Sequence, residues 1–136
     1  MLEMLLNKAD VDRVFSFNKA QWTQAAPQMI APGWNVRVYG HESGLQIIGY
    51  DPSTGVGLSI MPMFRDETSL PDRVVVGNYL PIGTLPPTTD ATRQEMELIA
   101  QKEIGAAYSL RLKHEIKNDL EVFEFCLLNC RTRGHD

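Results

Sequence analysis

His41, Glu42 and Asp51 are the side chains whose types suit acid–base catalysis in this sequence. Histidine is the group most readily poised near neutral pH, and beside a carboxylate it suits the proton transfers of an isomerase, hydrolase or lyase. Both members of the His41-Glu42 pair, however, fall in His41-Glu42-Ser43-Gly44, which reads as a short hairpin loop with Gly44 at a positive φ. Polar side chains there need no chemical reason to exist. Asp51 opens the turn Asp51-Pro52-Ser53-Thr54-Gly55, and turn formation accounts for it equally well. His114 lies on the apolar register of an alternating strand, with Glu115 on the opposite register, as expected of a core or interface histidine held by a hydrogen bond. No third aligned residue and no nucleophile elbow completes a triad, so no catalytic residue is assigned.

Cys126 and Cys130 stand four apart in a predicted strand. Strand rise separates their Cα atoms by roughly 13 Å, beyond the roughly 7 Å limit of a disulfide. Adding His135 gives a Cys-x3-Cys-x4-His string that lacks a fourth ligand and zinc-like spacing. Neither a metal nor a cofactor is expected. Arg65-Asp66-Glu67 is a short charge run of the kind that solvates a loop, while Met61, Met63 and Phe64 form a soft apolar group beside it. Tyr39, Tyr50 and Tyr79 each combine a ring with a hydroxyl. A ligand pocket is expected where these tyrosines, Arg37, His41, Arg65 and the Met61–Phe64 segment meet.

Periodicity indicates the elements that must position these groups. Lys8–Ile30 is helical in character, with Val11, Val14, Phe15 and Trp22 near one face and Asn18 placed to divide it. From Trp34 the period changes to two. Strands are predicted around Trp34–Tyr39, Leu45–Tyr50, Val56–Met61 (where Pro62 weakens the ladder) and Arg73–Leu80, joined by short loops. A helix follows over Asp90–Ile104, capped by Thr89, Asp90 or Thr92, with Met96, Ile99, Ala100 and Ile104 as its buried stripe and Gly105 at its end. Tyr108–Ile116 and Leu120–Asn129 form a final hairpin around Lys117-Asn118-Asp119. The order of helix, four-strand meander, helix and two-strand hairpin predicts a single α+β domain over residues 1–136: an antiparallel sheet of about six strands with helices packed on one face. A nucleotide-binding doubly wound fold is excluded by the lack of βαβ alternation and of a glycine-rich first turn.

Composition narrows the function classes. The 136 residues carry 13 Lys+Arg against 17 Asp+Glu, a formal charge of −4, which argues against nucleic-acid binding by phosphate neutralisation. No apolar run nears the roughly 20 residues that span a bilayer, and MLEMLLNKAD lacks the features of a secretory signal. A cytoplasmic protein without membrane or nucleic-acid partners is expected.

The strand faces carry the main inference. Leu45 and Ile47 oppose Ile48 and Tyr50, Val74–Val76 is apolar on both sides, and Val122, Cys126 and Leu128 oppose Phe123, Phe125 and Leu127. One face takes the helices, so the other would leave more apolar surface in water than monomers usually expose. A second copy of the chain, curling of the sheet into a half-barrel around an internal cavity, or a different protein partner would cover it; a one-residue register error would remove the excess. The leading expectation is a non-enzymatic protein that self-associates as a homodimer or higher oligomer and takes a small, partly apolar ligand in a sheet-lined pocket or at the subunit interface. The alternatives are the acid–base enzyme above and an adaptor or chaperone that presents this face to another protein.

Overall fold

A computed structural model describes residues 8–25, 33–41, 44–66, 68–83 and 90–130. Their elements run α1 (Lys8–Val14), α2 (Lys19–Ala25), β1 (Asn35–His41), β2 (Gly44–Tyr50), β3 (Gly57–Met63), β4 (Arg73–Pro81), α3 (Asp90–Ile104), β5 (Tyr108–Lys117) and β6 (Leu120–Asn129). The six strands form one antiparallel sheet in the order β1-β2-β3-β4-β6-β5. The first four make the expected meander. α3 then carries the chain to the far edge, and β6 returns to fill the place beside β4.

Local chemistry explains the joints. Asn18 divides the N-terminal helical segment with a reciprocal cap: its Oδ1 accepts from the Gln21 amide at 2.9 Å, and its own amide donates to Gln21 Oε1 at 2.9 Å. The β5–β6 hairpin turns through Asn118 and Asp119, both at positive φ (52° and 61°), the geometry of a two-residue primed turn. Gly105 takes φ 78° and donates its amide to the Gln101 carbonyl at 3.1 Å, ending α3.

The core lies between the helices and one sheet face. Val11, Val14, Phe15 and Trp22 are buried against Leu45, Ile47, Leu58, Ile60, Val74, Val76 and the inward residues of β5 and β6. Trp22 satisfies its indole N–H on the Val14 carbonyl at 3.0 Å, and Tyr108 stacks on Phe15 at 4.8 Å while donating its hydroxyl to Asp12 at 2.6 Å. These bonds join both short helices to one another and to the sheet.

Several local expectations need correction. Gly44 lies in β2 and is absent from the positive-φ residues; glycine is required there because a Cβ would approach the Pro62 carbonyl oxygen to 2.6 Å. β3 runs through Pro62 to Met63, since the β3–β4 ladder is continuous there and the gap falls in the β2–β3 register at Met61 and Pro62. On α3, Ile99 is 58% exposed; Ala100 and Ile104 are buried, Met96 packs against the core, and the stripe continues through Glu97 and Gln101 rather than Ile99. The side chains of Asp90 and Thr92, together with Thr89, Glu42, Ser43, Glu67 and His135, lie outside the described residues.

The rotation of α3 has a cause. Gln101 Nε2 donates to the Tyr108 carbonyl at 2.7 Å, its Oε1 accepts from the Leu110 amide at 2.9 Å, and Glu97 accepts from the Leu112 amide at 3.2 Å. These are outward-facing backbone groups of an edge strand, which would otherwise be open to pairing with another chain. The helix turns its polar residues toward the sheet because they substitute for a seventh strand.

Candidate functional site

Strand register assigns every side chain of the sheet to a face. The face away from the described helices carries Asn35, Arg37 and Tyr39 on β1, Gly44, Gln46, Ile48 and Tyr50 on β2, Gly57, Ser59, Met61 and Met63 on β3, Arg73, Val75, Gly77 and Tyr79 on β4, and Leu120, Val122, Glu124, Cys126 and Leu128 on β6. Its centre is apolar: Ile48, Met61, Met63, Val75 and Leu128 are only partly buried. Its β5 flank is polar, with Lys113 paired to Glu115 at 3.7 Å.

Two hollows lie at opposite ends of this face. The first, of about 240 Å³, is walled by Ile48 and Tyr50 on one side and Tyr79 on the other, floored by Gly57 and Ser59, and closed by Leu120. One cross-strand row builds it, because Tyr50 and Tyr79 both pair with Gly57, which places a tyrosine on each side of a residue with no side chain. Tyr79 reaches back along β4 over Gly77, where an added Cβ would meet its ring and hydroxyl at 3.3 Å. The turn bordering this hollow is held by Asp51, whose Oδ1 accepts from the Ser53 amide (3.0 Å) and hydroxyl (2.7 Å) and whose Oδ2 accepts from the Thr54 hydroxyl (2.8 Å). The Ser53 and Thr54 hydroxyls, with the Ser53 amide, hold the Asp51 carboxyl below the usual carboxylate range. A carboxylate so occupied is a poor general base.

The second hollow, of about 410 Å³, is bordered by Met63, Phe64, Arg65, Asp72, Arg73 and Leu128. Arg65 is spread over the surface with an ion pair to Asp72 at 3.4 Å, and Phe64 is buried in the core. The residues expected to share one pocket are therefore divided. Tyr50 and Tyr79 frame the first hollow; Met63, Phe64 and Arg65 border the second; Met61 sits on β3 between the two. Arg37 and Tyr39 flank the face on β1, opposite Ile48 and Gln46, and His41 ends that strand opposite Gly44.

Sequence reasoning missed Gly57 and Ser59. Ser59 is 4% exposed yet lines the first hollow, and its hydroxyl makes no hydrogen bond among the described residues. The predicted third strand contains Ser59, but only the pairing of β2, β3 and β4 reveals that it lies between two tyrosines.

The covered face holds a different polar group. Asn78, 2% exposed, pairs across the sheet with Leu58 and Phe123, and among the described residues neither atom of its amide has a partner. Beyond Phe123, His114 stacks on that ring at 4.6 Å and shares a 2.9 Å hydrogen bond with Glu121. Cys126 and Cys130 are free thiols, and burial, reinforced by Glu124 and opposed by Arg73, pushes the Cys126 thiol up. Among the described residues no helix is long and apolar enough to cross a membrane. Comparison with known proteins found no matching family model, curated protein or solved structure.

Proposed function

We propose that this chain is a small cytoplasmic, non-enzymatic binding protein that self-associates through its open sheet face and takes a small, partly apolar ligand in the hollow between Tyr50 and Tyr79. The observation that carries this reading is the partly buried apolar strip of Ile48, Met61, Val75 and Leu128 on the face opposite the described helices, continuous with that hollow. Fully burying an exposed side chain of this kind is worth about 1.5–3 kcal/mol; these four are already partly buried, so a second copy laid on the strip recovers only the remaining fraction of that from each, before the cost of association. The shielded β5 edge favours a face-to-face mode over edge pairing at that end of the sheet.

Light scattering coupled to size exclusion tests self-association. A mass at or above twice 15.3 kDa is expected across micromolar concentrations, with Val75→Glu shifting the chain to monomer while its circular dichroism is retained. A parent that elutes as a monomer throughout refutes self-association.

A further inference from the structure

We propose that the hollow between Tyr50 and Tyr79 is a slot for a planar aromatic molecule of one or two fused rings, with a hydrogen-bonding atom on its inner edge that meets the Ser59 hydroxyl; this rests on the proposed ligand-binding role of the open face. Width is the first ground. Tyr50 and Tyr79 stand on strands two apart, with Gly57 between them. Two strand spacings of about 4.8 Å set their backbones about 10 Å apart. A flat guest in contact with both walls needs about 7–8 Å, twice the carbon–carbon contact distance. One ring thickness fits within that spacing. Any side chain at Gly57 would occupy that space.

Size and polarity give the rest. An apolar cavity of roughly 150 Å³ holds benzene, so about 240 Å³ accommodates a fused bicycle. The floor is not uniformly apolar: Ser59 is almost wholly withdrawn from solvent, borders the hollow and spends its hydroxyl on no other described group. A hydroxyl both donates and accepts, so a ring N–H, phenolic O–H or ring nitrogen satisfies it, whereas an all-carbon guest leaves it unpaired. Tyrosine rings on both sides favour an aromatic guest through ring–ring contact beyond area burial.

The test is an NMR titration of the full-length ¹⁵N-labelled chain with indole, with indene (the same shape without the N–H) and with cyclohexanol. Indole is expected to move the amides of Gly57, Ser59 and Tyr79 and to bind about 3–10 times more tightly than indene, the factor that one net hydrogen bond supplies. Ser59→Ala should bring that ratio to about one without weakening indene. Gly57→Val should weaken both at least about tenfold while the dispersed spectrum persists, since a β-branched residue suits a strand. Cyclohexanol binding as tightly as indole, or a ratio unchanged in Ser59→Ala, overturns the aromatic slot and leaves a ligand role for the face standing. Failure of all three compounds to move these amides overturns both.

Discussion

Replacing Gln101 with leucine isolates the bonds by which α3 covers the β5 edge. Leucine and glutamine have nearly equal helix propensity, so α3 itself should be unaffected. What disappears is a donor at 2.7 Å from the Tyr108 carbonyl and an acceptor at 2.9 Å from the Leu110 amide. Each net hydrogen bond contributes about 0.5–1.5 kcal/mol, and a buried backbone group left unpaired costs more. Because this edge is only part-buried, water replaces some of the loss, and the expected destabilisation is about 1–3 kcal/mol. For a chain of this size each kcal/mol lowers the melting temperature by about 4 °C, so a drop of about 4–12 °C is expected by calorimetry. Hydrogen exchange adds a site-specific readout. The Leu110 amide should lose protection by more than the global destabilisation explains, whereas Arg111, opposite Cys126 in the β5–β6 register, should change only with global stability. A variant that melts within about 1 °C of the parent, with unchanged exchange at Leu110, refutes the claim that the helix serves as an edge cover.

Other perturbations separate further parts of the structure. Asn78→Leu removes an amide with neither atom partnered among the described residues; a gain of about 1–3 kcal/mol in urea denaturation is expected, and a comparable loss would mean that the amide is satisfied. Gly44→Ala drives a methyl to 2.6 Å from the Pro62 carbonyl oxygen, so a loss of about 1–3 kcal/mol is expected and neutral thermal denaturation would contradict it. The carboxyls of Asp51 and Asp66 are both held below their ordinary value of 3.8 by serine and threonine donors. A folded-state value below the unfolded one stabilises the chain above the unfolded value, and that stability is lost as pH falls through the folded value. Melting temperature should therefore fall on acidification below about pH 4, less steeply in Asp51→Ala; an identical acid limb in that variant refutes a role for the turn.

Much of the architecture was legible in the chain because its signals are local. A reversal from period 3.6 to period 2 at Trp34, Asn18 dividing the helical segment, Gly105 at a helix end, and Asn118-Asp119 between alternating runs each act over a few residues. Strand parity likewise separated Ile48 and Tyr50 from Leu45 and Ile47, since alternation is a property of one strand alone. Which strands become neighbours was not legible. Only the assembled sheet sets Tyr50, Gly57 and Tyr79 in one row, makes a slot of a glycine, and withdraws Ser59 into its floor. The same applies to Ile99, which helical periodicity marked for burial. Tertiary structure turned Glu97 and Gln101 inward instead, because the unpaired backbone of an edge strand made hydrogen bonds there worth more than another apolar contact.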